Sequence, residues 1–304
     1  MSDRLHVARQ LTAAALLALL VGLTGGAGRA AQPAPAAKAP APKTVRLYVF
    51  DCGLLNVTTE GVQRYHLTPA EVGEPRMSVP CFLVAHPRGT LMWDLGVVPD
   101  GDVDAQPQGA RASFGGAFVA VVTRTLRSQL AQIGYRPADI AYFAFSHAHI
   151  DHSANANEFA ASTWLAKPAE RDFMWADNNT RVNPSFYTGL KNSKAVVIID
   201  KDEYDVFGDG QVVIKSAPGH TPGHQTLVLK LAATGRVMLS GDLYHYPQER
   251  TLHRAPPDNE ANVQQSAESR SRIEAYLEKT KTSLWIEHDF VSNARLKKSP
   301  AYYE

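Results

Sequence analysis

The sequence predicts an α/β fold, an αβ/βα sandwich, and three observations carry that prediction. Short apolar runs at residues 45–50, 79–85 and 91–93 read as the strands of a β-rich opening of the fold. A second group of strand-like runs follows at 196–200, 212–216, 225–231 and 236–239, so that two β-then-α halves of similar size emerge. Between the halves, the apolar run 140–145 delivers Ser146-His147-Ala148-His149-Ile150-Asp151-His152 at its carboxyl end.

The 304 residues, 44% hydrophobic and 9% aromatic, suffice for one well-buried domain of about 250 residues or two small ones. Residues 1–30 read as a secretory signal, with Arg4 and Arg9 ahead of an apolar run at 11–23 and small residues up to Ala30. That run is shorter than the roughly 20 residues needed to span a bilayer, so no stable membrane span is expected after cleavage. A periplasmic or secreted location follows. Residues 31–44 form a Pro/Ala-rich linker, expected to be extended and disordered, and residues 45–304 a single domain. Net charge is +1, and removing Arg4, Arg9 and Arg29 against Asp3 leaves −1, which argues against nucleic acid as a partner. The two cysteines, Cys52 and Cys81, lie in separate apolar runs and read as two buried thiols, with a disulfide as the alternative in an oxidising compartment.

Along the chain, His86-Pro87-Arg88-Gly89 turns the second strand into the third. Residues 99–116, rich in Asp, Gly, Pro and Gln, predict a long loop or flap. Residues 119–133 predict a helix with Val122, Leu126, Leu130 and Ile133 on one face and Gly134 as its stop. Residues 155–161 read as the start of another helix. Trp164, Phe173, Met174, Trp175, Phe186 and Tyr187 lie in a stretch without clear period, read as core by default or as part of an apolar groove. Residues 261–279 predict an amphipathic helix with Ile273, Tyr276 and Leu277 inward, and 283–286 a last strand.

In an extended segment alternate side chains share a side, so His147 and His149 can grip one ion, while a turn at Asp151 and His152 can offer both to a second. Three histidines within six positions, from eleven in the chain, make a chance surface cluster a poor explanation. The His-x-His-x-Asp-His pattern resembles the metal motif of metallo-β-lactamase-fold hydrolases, whose four-layer sandwich is therefore implied. Further matches are Asp94-Leu95-Gly96, where the family usually has Asp-Thr-Gly, Gly219-His220-Thr221, Ser240-Gly241-Asp242 and Glu287-His288-Asp289. The resemblance implies His147, His149 and His220 on one metal, Asp151, His152 and His288 on another, and Asp242 bridging, with His224 structural. Such imidazole and carboxylate donors suit Zn2+, with Co2+, Mn2+ or Fe2+ as substitutes.

Within that family the chain most resembles N-acyl-homoserine lactone lactonases, in residues 78–84 running to Trp93-Asp94 and in the ligand set. The resemblance implies ring opening by a hydroxide held between two metals, with Asp151 passing a proton to the leaving oxygen. Those lactonases carry a tyrosine three residues after the bridging aspartate; here His245 stands there, flanked by Tyr244 and Tyr246, so Tyr244 and His245 are the candidate substrate-contacting groups. Phe114, Phe118, Trp164, Phe173, Trp175 and Phe186 are candidates to bury an acyl tail, and a homodimer is compatible with the family. β-Lactam, thioester and phosphotriester hydrolysis are competing enzyme readings. A metal-binding module without catalysis is the competing non-enzyme reading.

Overall fold

Strict alternation along the strands builds the fold, a computed structural model that describes residues 39–304 other than Pro107 and Asn178. The predicted signal and residues 31–38 of the linker lie outside the described residues. The larger sheet contains β1 (Arg46–Val57), β2 (Met77–His86), β3 (Gly89–Trp93), β4 (Ala110–Phe114), β5 (Phe118–Val122), β6 (Tyr142–Ala144), β7 (Thr163–Ala166) and β8 (Val196–Ile198). Their spatial order is β4-β5-β1-β2-β3-β6-β7-β8. The smaller sheet contains β9 (Glu203–Asp205), β10 (Val212–Ser216), β11 (Gln225–Leu231), β12 (Gly235–Leu239) and β13 (Ser283–Trp285), in the order β13-β12-β11-β10-β9. A final strand, β14 (Tyr302–Tyr303), pairs with β1 and completes the nine strands of the larger sheet.

Three apolar layers follow from this alternation. Leu47, Val49, Phe82, Val84 and Trp93 from one sheet meet Val212, Ile214, Leu227, Leu229 and Leu239 from the other. The alternate residues Phe50, Leu83 and Met92 face outward to a second cluster with Leu126 and Leu130 of the helix Leu126–Gln132. On the far side, Val228 and Met238 pack against Ile273 and Leu277 of the helix Val263–Thr280. Helix, sheet, sheet, helix is the predicted four-layer sandwich.

Local structure departs from expectation in several places. The predicted helix 119–133 is instead β5 followed by the helix Leu126–Gln132, because the Val119-Ala-Val-Val122 run pairs with β1 and β4, and Thr125 then caps the helix by accepting from Ser128 N. The predicted loop 99–116 carries the helix Asp100–Asp104 and β4. Asp100 orders it: its carboxylate accepts from Leu126 N at 2.8 Å and Arg127 N at 2.7 Å. Residues 155–161 hold only the 3-10 turn Ala156–Phe159. The run 196–200 joins the larger sheet through β7, rather than opening the second half. The linker's last residues are docked, since Ala39 N donates to Gly134 O at 3.2 Å.

Cys52 and Cys81 form a disulfide, with Cα atoms 5.8 Å apart, so the reading of two separate thiols is corrected. Cys81 stands opposite Phe50 in the β1–β2 ladder, and Cys52, two residues on where the register shifts between Asp51 and Leu54, meets it diagonally, a pairing set by register between strands remote in sequence. Closing a loop across 29 residues chiefly restricts the unfolded chain. The Cys52→Ala/Cys81→Ala double variant should therefore lose about 2–4 kcal/mol of stability in urea unfolding under non-reducing conditions, and an unchanged midpoint would contradict this.

Candidate metal centre

Strand direction brings the motif residues together. β3 runs parallel to β6 and β12 parallel to β13, so Asp94, the His147–His152 segment, Asp242 and His288 all follow strand carboxyl ends on one edge of the sandwich. β10 shares the direction of β12 through two antiparallel steps, which adds His220. Asp151 and His152 lie on the short helix Ile150–Ser153, and that turn separates them from His147 and His149.

Two donor clusters result, His147, His149, His220 and Asp242 in one, Asp151, His152 and His288 in the other. Asp242 faces both. Its Oδ2 lies 3.5 Å from His147 Nε2 and 3.2 Å from His220 Nε2, while its Oδ1 lies 3.1 Å from both His152 Nε2 and His288 Nε2. The residues fit a pair of cations on three grounds. His149 Nδ1 sits 2.8 Å from His147 Nε2 and 2.9 Å from His220 Nε2, and one proton cannot satisfy both contacts. Asp242 Oδ1 is buried and accepts no hydrogen bond. Burial and neighbouring imidazoles hold His147 and His149 well below the ordinary histidine range, leaving them neutral with lone pairs available.

The outward-facing nitrogens are held by acceptors. His152 Nδ1 donates to Asp94 Oδ2 at 2.9 Å, His220 Nδ1 to Glu260 Oε1 at 3.2 Å and His288 Nδ1 to Ser78 O at 2.7 Å, so each Nε2 is turned inward. Asp94 also accepts from Ser146 N at 2.6 Å. Burial disfavours charge on Glu260, but His220 outweighs it and keeps the carboxyl at about 2. Against burial, the imidazoles of His288, His152, His147 and His245 hold Asp242 well below the usual carboxylate range.

Sequence reasoning missed the buried glutamates that assemble these loops. Glu170 accepts from Ala148 N at 2.6 Å, Thr221 Oγ1 at 2.7 Å and Gly223 N at 2.9 Å, joining the His149 loop to the His220 loop. Glu249 accepts from His245 N at 2.6 Å and Arg270 Nη2 at 2.7 Å. Glu287 Oε1 accepts from Trp93 Nε1 at 3.2 Å and Gly241 N at 2.9 Å, and the signal for it was visible as a carboxylate inside an apolar strand end. No comparable signal marks Glu170 or Glu260. His224 donates from Nδ1 to Ala217 O and accepts at Nε2 from Asp242 N, both at 2.9 Å, so its two nitrogens are taken by backbone. Gly241 is required beside it, since a Cβ there would lie 2.6 Å from His224 Nε2.

A cavity of about 210 Å³ opens over Asp151, His149, His220, Asp242 and His288. Leu55, Met77, Phe114, Phe118 and Ile150 supply its apolar wall, and Arg64 and Arg181 its cations. Phe114 and Phe118 pair across the β4–β5 turn, which carries both rings over the site. Trp164, Phe173, Trp175 and Phe186 do not line it; they pack in or against the outer core. Of the two candidate substrate contacts, His245 lines the cavity, with Nε2 3.1 Å from Asp242 Oδ2. Burial disfavours its charge, but Asp242 and Glu249 raise it to about 10. The Tyr244 hydroxyl points elsewhere, to Glu274 Oε1 at 3.1 Å.

If the seven donors act together, the purified protein should hold about two divalent ions per chain by elemental analysis. Removing one outward acceptor, Glu260→Gln, should weaken metal affinity about 10- to 100-fold in a chelator competition without unfolding the chain. A stoichiometry below one after metal supplementation would contradict the paired clusters.

The metallo-beta-lactamase superfamily profile matches residues 75–280. The N-acyl homoserine lactonase AttM of Rhizobium radiobacter is 27% identical over 266 residues, covering 85% of this chain and 98% of that protein. An N-acyl homoserine lactonase of Bacillus cereus is 24% identical, covering 78% and 90%. Among solved structures, an N-acyl homoserine lactone hydrolase with the product N-hexanoyl-L-homoserine at its catalytic metal centre superposes with a TM-score of 0.70 at 20% identity, over 88% of this chain and 100% of that one. The sandwich, the ordered ligand motifs and the profile together place this chain in the metallo-beta-lactamase superfamily.

Proposed function

We propose that this protein is a metal-dependent hydrolase that opens lactone rings, with N-acyl-homoserine lactones as the substrate class, and that it works in the periplasm or outside the cell. The observation that carries the reading is Asp242, which turns one carboxylate oxygen to each imidazole cluster at the floor of an apolar cavity. His147, His149 and His220 would hold one ion, Asp151, His152 and His288 the other, and the donor set suits Zn2+. When bound, such a pair supplies an acidified water and a Lewis acid for a carbonyl oxygen.

The chain's own groups do the rest. Asp151 lines the cavity at the edge of its cluster, where it can receive a proton and pass it to the ring oxygen as the C–O bond breaks. His245, fixed between Asp242 and Glu249, orients Asp242. Leu55, Phe114 and Phe118 exclude water beside the reacting carbonyl and offer the acyl chain an apolar surface. The lactonase names of the relatives support the substrate class. The signal-like first 30 residues and the Cys52–Cys81 disulfide support export.

The test is kcat/KM for a short and a long acyl-homoserine lactone, a plain γ-lactone, nitrocefin and a phosphotriester. Acyl-homoserine lactones should be turned over best. Each added methylene should tighten binding by up to about 0.8 kcal/mol, roughly fourfold, until the 210 Å³ cavity is filled. A preference for nitrocefin or the phosphotriester would overturn the lactonase reading.

A further inference from the structure

Four tyrosines sit on the segments around the metal centre, and three have committed their hydroxyls. Tyr244 donates to Glu274 Oε1 at 3.1 Å, Tyr246 to Pro75 O at 2.7 Å and Tyr187 to Met174 O at 2.9 Å. Tyr65 is the exception. It follows the helix Thr59–Gln63, held by Tyr65 N donating to Val62 O at 3.0 Å, and it lines the cavity over the clusters. Among the described residues its hydroxyl has no hydrogen-bond partner, and it is not sealed from the cavity.

The ring is held firmly. It packs on His245 with centroids 4.3 Å apart and edge-on against Tyr246 at 5.4 Å. Only 8% of the residue is exposed, so the phenol presents little more than its polar end to the cavity. The hydroxyl reaches the cavity and has no acceptor among the described residues, so an oxygen of a bound ligand can supply one. Burial first, then the charges of Asp242 and, less, of Glu249 and Asp151, raise Tyr65 well above the ordinary tyrosine range, so it stays a donor throughout the neutral region.

We propose that Tyr65 is a catalytic residue: its hydroxyl donates a hydrogen bond to the acyl oxygen of the bound ester as water adds to the carbonyl carbon. The proposal rests on the lactonase reading above. Water contributes the oxygen of the new C–O bond, the ring C–O bond breaks, one proton of the water ends on the ring oxygen, which leaves as an alcohol, and the other is released to solvent as the acyl carbon ends as a carboxylate. Tyr65 keeps its proton throughout and acts only by stabilising charge that develops on oxygen. Beside His245 it presents the kind of donor that His245, bound to Asp242, does not leave free.

Tyr65→Phe preserves the ring contacts with His245 and Tyr246 and removes only the hydroxyl, so it is assayed on metal-loaded protein with N-hexanoyl-homoserine lactone. The expected result is a fall in kcat of about 10- to 1000-fold with KM within about threefold, because the bond strengthens as charge builds. Metal content and Tm should match the wild type. A kcat within about twofold of wild type, a change confined to KM, or a loss that tracks lost metal would each overturn the assignment. If the wild type itself hydrolyses no lactone, the lactonase reading fails first and takes this inference with it; wild-type turnover with an unimpaired Tyr65→Phe variant refutes Tyr65 alone.

Discussion

The structure depends on one buried carboxylate. Asp242 lies almost fully inside the protein with five imidazole nitrogens within 3.5 Å, three on Oδ2 and two on Oδ1. A charge in that position is tolerable only if every neighbour is held in place. His224 fixes the Asp242 backbone, Gly241 makes room for the turn, and Glu287 anchors Gly241 to Trp93 in the other sheet. The two sheets therefore meet at the site through a hydrogen-bonded path, in addition to their shared apolar layer.

Around that centre, polar groups are buried in sets and not singly. Asp94, Glu260 and Ser78 each accept from a ligand imidazole, and Glu170 ties two ligand loops through three donors. Such a network holds each Nε2 facing inward before any ion arrives, which lowers the ordering cost of binding. The same network concentrates negative charge, with Asp94, Asp151 and Asp242 all acting on His152. Cations are the groups that complement it.

What the sequence made legible was local. The contiguous metal loop declared its donors because their spacing alone places them on one turn, and residues 212–216 and 225–231 matched β10 and β11 because their apolar runs are bounded by turn residues. The stretch 119–133 misled because Val122, Leu126, Leu130 and Ile133 mimic helical spacing while strand pairing with β1, over 60 residues earlier in the chain, decides the first part. The Cys52–Cys81 bond and the placing of Tyr65 beside His245 are likewise long-range outcomes of register and packing. The wall of the cavity shows both cases: Phe114 and Phe118 reach it because a hairpin turns between them, whereas Trp164 is held in the core.

The proposed function requires Asp242 to sit between two cations. Anomalous diffraction at the zinc edge from zinc-loaded crystals tests it most directly. Two peaks are expected, one roughly 2.0–2.2 Å from donors of His147, His149 and His220, the other at like distance from Asp151, His152 and His288, each with one oxygen of Asp242. A single peak, or a peak held instead by Asp94, His152 and Glu287, which also converge, would contradict it.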